Sequence, residues 1–165
     1  ADFFRHNVKK GQEDATLGEE LEAVDNYIYI LNVRFAGDIH FNKDVDESLE
    51  NVRVPSMILQ PVVENAVNHG IRDIEWEGKI HLTVTGDADY IRISVKDNGK
   101  GMTPEQIESV LSGNKEHCNE QSDSTGIGMN NVISRLELYY EEPGLVEINS
   151  DGENKGTEVV IYIPV

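Results

Sequence analysis

Basic residues are scarce in this sequence: 14 Lys and Arg stand against 31 Asp and Glu, a net charge of −17. Binding along a nucleic-acid backbone needs an excess of cations to displace counterions, so nucleic acid is excluded as a partner. A small polyphosphate is not excluded, because backbone N–H groups and one divalent cation can hold an anion in a local cleft whatever the global charge. Cysteine is limited to Cys118, in a polar stretch. That rules out an internal disulfide and a zinc site built from cysteines, and it fits a reducing, cytoplasmic compartment. Long apolar runs are missing as well: no stretch reaches the roughly 18 to 20 residues that span a bilayer. The opening Ala1-Asp2-Phe3-Phe4-Arg5 lacks an initiator Met, a basic n-region and an apolar h-region, so the expectation is a piece of a longer protein. Its 165 residues suit one domain with a short extension.

Apolar periodicity supplies the elements. Leu21, Val24, Tyr27, Ile28 and Leu31 recur at three to four residues, and Thr16 with Glu19 forms a capping box, predicting an amphipathic helix from Thr16 to Phe35 that stops at Gly37. "IHFNKDVDESLENVRV" suits one or two edge strands. Pro55 is expected to open a helix running to about Gly70. "KIHLTVTG" and "YIRISVKD" alternate as a strand pair joined by Asp87-Ala88-Asp89, "TPEQIESVL" reads as a helix, and residues 112 to 125 as a mobile loop. "GMNNVISRLELYY" is a further helix, and "GLVEINS" and "GTEVVIYIPV" are two more strands around Asp151-Gly152. This irregular alternation predicts an α+β fold, a two-layer sandwich with helices on one face of a mixed, mainly antiparallel sheet.

Three stretches carry more than fold. "VKDNGKGM" resembles a hairpin turn, but Thr103-Pro104-Glu105-Gln106 behind it starts a helix, not a strand. Strand, glycine loop, helix is an order in which backbone can approach a ligand closely, with Asp97 as an acceptor for an exocyclic amino group. An Asx-turn in which Asp97 and Asn98 bond only their own backbone is the equal alternative. In "PSMILQPVVENAVNHG", a 100° wheel puts Ile58, Leu59, Val62, Val63, Ala66 and Val67 on a core half and Pro61, Glu64, Asn65 and Asn68 on the other. Asn is a poor helix former. Asn65 and Asn68 with Glu64 and His69 therefore suggest a stripe suited to a hydrated hard cation and phosphate oxygens. In "STGIGMNNVISRL", Gly126 and Gly128 lead into a helix whose free N–H groups would face an anion, although Asn131 stands where a dinucleotide fingerprint has its third glycine.

Together and in this order, the stretches resemble the ATP-binding catalytic domain of sensor histidine kinases, within the superfamily (GHKL, with the Bergerat fold) that also holds type II topoisomerase, Hsp90 and mismatch-repair ATPases. "LQPVVENAVNHGI" is similar to the N box, "VKDNGKGM" to the first glycine box, "STGIGMNNVISRL" to the second, and "NKGTEVVIYIPV" to the closing strand. "YIYILNVRF" ahead of them points to the LytS/YesM-like subfamily. The resemblance implies an HATPase-type domain over residues 16–165, with residues 1–15 as the tail of a dimerisation and phosphoacceptor region. It implies ATP and Mg2+ as ligands. Asn65 would hold the metal and, with Glu64, serve catalysis; Asn68 and His69 would lie near phosphate and sugar. Asp97 would accept from the adenine amino group, Gly99, Gly101 and Met102 would wall the base, Gly126, Ile127, Gly128 and Met129 would clasp the phosphates, and Thr157 would reach adenine.

Two departures bear on mechanism. Hydrolysing members carry a general-base Glu four residues before the N-box Asn; here that residue is Pro61, which favours phosphoryl transfer over water attack. The common N-box Lys is Asn68, which passes charge compensation to Mg2+ and to Lys115 or Arg72. None of His6, His40, His69, His81 and His117 has a phosphoacceptor context. The implied function is the catalytic fragment of a two-component, protein-histidine kinase that transfers the γ-phosphoryl group of Mg-ATP to a histidine outside this chain, and thence to a response regulator receiver domain. The implied parent is homodimeric and membrane-anchored, with this part cytoplasmic. The alternatives are a nucleotide-binding regulatory module without catalysis and a superfamily serine kinase.

Overall fold

A computed structural model describes residues 14–34, 39–112 and 123–165, for 123–127 the backbone alone. The expectations for the N-terminal extension with His6, for the Gly37 stop, and for most of the polar loop with Lys115, His117 and Cys118 lie outside the described residues.

β1 (Asp14–Thr16) leads into α1 (Leu17–Arg34), then come β2 (Ile39–Val45) and β3 (Arg53–Pro55). α2 (Gln60–Asn65) continues as a π-helical segment (Ala66–Ile71). β4 (Gly78–Gly86), β5 (Tyr90–Asp97), α3 (Pro104–Ser112), α4 (Asp123–Tyr140), β6 (Val146–Asn149) and β7 (Thr157–Pro164) complete the order. Five strands form one sheet in the order β2-β4-β5-β7-β6, parallel between β2 and β4 and antiparallel elsewhere, while β1 and β3 pair separately. The expected mixed, mainly antiparallel sheet is present.

The period-2 alternation of the strands decides which face is covered. Ile80, Leu82 and Val84 of β4, Ile91, Ile93 and Val95 of β5, and Val159, Ile161 and Ile163 of β7 are buried. They share one core with Leu17, Leu21, Val24 and Ile28 of α1, Val62 and Val63 of α2, and Met129, Val132 and Leu136 of α4. Each such side chain contributes about 1.5–3 kcal/mol on burial, which holds the helices to this face. Between them His81, Lys96 and other polar residues alternate onto the opposite face. Asp97 follows the same parity as Val95 and Ile93, so its carboxylate sits on the covered face, at the rim of the core.

Local capping agrees with the sequence. Thr16 Oγ1 accepts from the Glu19 N–H and Glu19 Oε1 from the Thr16 N–H, both at 3.1 Å. Thr103 and Gln106 exchange the same pair of bonds at α3, at 2.9 and 3.1 Å. Asp87 Oδ1 accepts from the Asp89 and Tyr90 N–H groups, closing the β4–β5 turn.

Two expectations are corrected. Pro55 does not open a helix: it closes β3, paired with Asp14 across a strand far away in sequence. The helix starts at Gln60, which puts Pro61 in its first turn, where a missing N–H costs nothing, and not as an irregularity inside it. α4 begins at Asp123, so Gly126 and Gly128 lie within its opening turns and not ahead of it. Among the described residues, no helix is long and apolar enough to cross a membrane.

Candidate nucleotide site

The opening puzzle of "VKDNGKGM" resolves into separate tasks for its residues. Asn98 bonds outward to β4: its Nδ2 donates to the Glu77 carbonyl and its Oδ1 accepts from the Lys79 N–H, both at 2.8 Å. Its carbonyl accepts from Trp76 Nε1 at 2.7 Å. Asn98 is thus a splice between the loop and the start of β4. Asp97 does make one Asx-type bond, Oδ1 accepting from the Gly99 N–H at 2.9 Å. With the Thr157 amide also bearing on it, the carboxylate still keeps part of its acceptor capacity free, although the residue is only 7% exposed.

The glycines of the loop pack against other backbone. A Cβ on Gly99 would overlap the carbonyl of Gly70, at the end of the π segment, and the neighbouring Lys100 N–H donates to that same carbonyl at 2.9 Å. Gly101, at φ +75°, faces the Gly152 carbonyl. These residues lack side chains so that backbone can meet backbone; the sequence reading assigned them to a ligand's approach. Gly70 itself lies against Asp97: a Cβ there would stand 2.7 Å from the carboxylate. The loop's far side is tied by the Met102 N–H to Ser150 Oγ at 3.0 Å, by Ser150 Oγ to the Gly156 carbonyl at 2.7 Å, and by the Gly156 N–H to the Gly99 carbonyl at 3.1 Å.

Asp97 therefore sits where the ends of β5, β7 and the π segment meet, directly opposite Thr157 in the β5–β7 register. Burial among apolar neighbours pushes its carboxyl up to about 6, against the pull of the Gly99 and Thr157 amides.

From α2, Asn65 and Glu64 are half-buried. Glu64 Oε1 accepts from Gln60 Nε2 at 3.0 Å. The Asn65 side-chain oxygen is buried with no hydrogen-bond partner among the described residues. Such an orphan costs about 1–3 kcal/mol unless water or a ligand meets it, and the oxygen stands able to accept, as does the likewise unpartnered Tyr140 hydroxyl on α4. Asn68 is exposed. His69 is half-buried and held below the ordinary imidazole range, first by burial and then by the Lys100 cation. Both follow Asn65 on the π segment, whose i to i+5 bond from the Arg72 N–H to the Val67 carbonyl is 2.9 Å. A 100° wheel does not describe positions 66–71, and π turns of this kind are frequent at functional sites.

Of the remaining expected residues, Thr157 is buried beside Asp97, Met102 is half-buried on the loop, and a Cβ at Gly128 would meet nothing within 4 Å among the described residues. Met129 is fully buried in the core with Val132 and Leu136. Gly126 and Ile127 have their backbone in the first turns of α4, and nothing more of them is described. Arg72 acts on Tyr27, whose hydroxyl is pushed up to about 12 by burial and by Glu64. Lys100 was missed; its place one residue after Gly99 is the signal that pointed to it. Also missed was Glu20, a buried carboxylate on α1; its spacing of three from Leu17 and four from Val24 places it on the helix's buried side, which was the available signal. A groove of about 580 Å³ between α3 and β6, lined by Ile107, Glu108, Leu111 and Ile148, reaches the glycine loop only at Ser150.

The model of the histidine kinase-, DNA gyrase B- and HSP90-like ATPase family matches residues 53–165. Sensor histidine kinase YpdA of Escherichia coli (strain K12) is 33% identical over 163 residues, which is 98% of this chain and 27% of that protein. Sensor histidine kinase YesM of Bacillus subtilis (strain 168) is 29% identical over 162 residues, 98% of this chain and 26% of that protein. Sensor protein LytS of Streptococcus agalactiae is 30% identical, with 98% of this chain and 27% of the protein covered. The chain thus spans about a quarter of the length of these relatives. Among solved structures, the catalytic domain of histidine kinase ThkA superposes with a TM-score of 0.64 at 22% identity, covering 93% of this chain and 96% of that one. A mycobacterial sensor histidine kinase, MprB, gives 0.65 at 16% identity, with 93% and 97% covered; at these identities the likeness is one of fold. With the family model over most of its length, and with this chain matched nearly end to end by parts of sensor histidine kinases that include YesM and LytS, the chain belongs to the histidine kinase-, DNA gyrase B- and HSP90-like ATPase family.

Proposed function

We propose that this domain, over residues 16–165, binds Mg-ATP and delivers its γ-phosphoryl group to a histidine on a dimerisation helix outside the chain, residues 1–15 being the tail of that region. The single observation that carries the nucleotide reading is the placement of Asp97: a carboxylate at the rim of an apolar core, closed on one side by Gly70 and with acceptor capacity to spare. An exocyclic amino group is a donor that matches it, and apolar neighbours suit a base ring. Thr157, beside Asp97, is the second contact for adenine. Gly99, Gly101 and Met102 form the wall behind the base, by keeping the loop in place.

For the metal, the residues present fit. Asn65 offers a buried, unpartnered oxygen, a hard donor, and Mg2+ is commonly held by one or two protein groups plus phosphates and water. Among the described residues no three His, Cys, Asp or Glu converge, in keeping with so sparse a set. Bound there, Mg2+ would supply charge neutralisation on the phosphates. Asn65 orients that end of the ligand, while Lys100 and neutral His69 flank it, Lys100 adding positive charge where the sequence reading looked to Arg72 or Lys115. Asn68 is exposed toward solvent at the same helix end. Gly126 and Gly128 reach phosphate oxygens through their N–H groups if the first turns of α4 open to do so, with Ile127 carried between them.

Pro61 cannot accept a proton, and Glu64 stands about 100° from Asn65 round the helix, which favours phosphoryl transfer over water attack and leaves Glu64 to serve the transfer beside Asn65. Positioning and charge neutralisation, with transfer to an external histidine, are the chemistry that remains. The whole protein would then pass the phosphoryl group to a response regulator receiver domain, as a homodimer anchored in the membrane with this domain on the cytoplasmic side. The test is the phosphorylated residue in the full-length protein: an acid-labile, alkali-stable phosphohistidine supports the reading. A stable phosphoserine contradicts it, and no phosphorylation despite nucleotide binding leaves a regulatory module.

A further inference from the structure

The segment just ahead of α2 is held in an unusual way. Residues 56–59 belong to no helix or strand, Met57 has a φ of +60°, and Leu59 provides no side-chain cap for the helix it begins. The free N–H groups there are taken by one carboxylate from another element. Glu20 of α1, only 6% exposed, accepts from Ile58 N–H at 2.8 Å through Oε1, from Leu59 N–H at 3.3 Å through the same oxygen, and from Met57 N–H at 3.1 Å through Oε2. The carbonyls on the other side are taken by a guanidinium from α4: Arg135 Nη1 donates to the Met57 carbonyl at 2.9 Å and to that of Ser56 at 3.4 Å. A buried anion and a cation, from helices on either side, thus grip four residues that have no regular structure of their own. Charge-assisted bonds of this kind are stronger than neutral ones and fix geometry as well as energy.

What they fix is the origin of α2. Asn65 stands six residues beyond Leu59, and over so short a helix any rotation of the start is passed on to it. Its side-chain oxygen is buried and unpartnered, so it has no bond of its own to hold it. We infer that Glu20 and Arg135 are positioning residues for the metal and phosphate end of the site: they set the direction in which Asn65 presents its oxygen, and they act through the backbone of residues 56–59 without touching ligand. This rests on the reading of Asn65 given above and adds the two residues on which that reading depends. Arg135 also lies about two turns beyond Gly128 on α4, so the clamp ties α4 directly to the segment that leads into α2.

The experiment is calorimetric titration of ADP into the chain, in EDTA and in Mg2+, for wild type, Glu20→Gln, Arg135→Ala and Arg135→Lys, with thermal melts alongside. The readout is the Mg2+ enhancement, the ratio of the two dissociation constants. Loss of one charge-assisted grip is expected to lower that ratio about tenfold in Glu20→Gln and Arg135→Ala. Arg135→Lys, which keeps a donor for the Met57 carbonyl, is expected to restore most of it. Affinity in EDTA, governed by Asp97, should stay within about twofold throughout. A purely structural role predicts something else: melting points fall, and affinity with and without Mg2+ falls together, or neither changes. Either result in the folded variants overturns the inference, and Arg135→Ala carries the test alone if Glu20→Gln does not fold. Wild-type protein that binds ADP without any Mg2+ enhancement would overturn the metal reading itself and the inference with it, which is distinguishable from failure of the clamp.

Discussion

At the residue scale, Asp97 combines two properties that oppose each other. Its carboxyl is raised from its ordinary 3.8 to about 6, so the native state binds a proton more tightly than the unfolded chain. The stabilisation from that proton is complete below about 3.8 and lost as the pH rises through about 6; at neutral pH the buried charge costs stability. Asp97→Asn should therefore raise the melting temperature at pH 7, by a free energy on the order of 2 kcal/mol, and not at pH 4. A melt at both pH values checks it, and destabilisation at pH 7 would mean that the carboxylate's bonds outweigh its burial. The same shift predicts that wild-type affinity for ADP falls as the pH drops through about 6, by up to about tenfold per unit, and that Asp97→Asn abolishes the dependence. Gly99→Ala must push the loop off the Gly70 carbonyl, and should cost about 3 kcal/mol in chemical denaturation while weakening ADP binding.

At the element scale, the sequence was most legible where structure is local. Both capping boxes, the β4–β5 turn and the buried face of α2 follow from residues within a few positions of each other. Thr103→Ala should cost about 1 kcal/mol in denaturant unfolding and leave ADP affinity unchanged, since α3 caps itself away from Asp97. Illegible were the features fixed by distant partners. Pro55 reads as a helix start until β1 pairs with β3, and the parallel register of Ile39–Val45 with 78–84 has no local cause. The π segment was hidden because a wheel assumes one period; its conformation depends on Gly70 fitting between Asp97 and Gly99. The first turn of α2 carries the catalytic consequence. With Pro61 in the base position, incubation of the chain with Mg-ATP should release no phosphate beyond background, and brisk turnover would show that another base serves water.

At the scale of the whole molecule, the candidate site is legible as a set of residue types and less so as a set of reasons. Asp97, Asn65 and Thr157 could be named from their motifs; in the structure they are a rim carboxylate, a buried oxygen without a partner among the described residues, and a neighbour across the sheet, and the proposed roles are built on those positions. The glycines of the loop were named for a ligand's approach, and the backbone that packs against Gly99 and Gly101 was not foreseen, because sequence cannot say what a missing Cβ makes room for. Glu20 and Arg135 were invisible because their partners are main-chain groups about 38 and 78 positions away. The excess of acidic residues is carried largely on exposed surfaces, while Lys100 is a cation close enough to act on His69.

The central claim is that Asp97 recognises the adenine amino group, and the most direct measurement is titration of the chain with ADP and with inosine diphosphate, which carries a carbonyl in place of that amino group. Wild type should prefer ADP by roughly a hundredfold, because a carboxylate facing a carbonyl leaves both acceptors without a donor, and Asp97→Asn should lose most of that preference. Equal binding of the two nucleotides by wild type, or undiminished preference in Asp97→Asn, would contradict the claim.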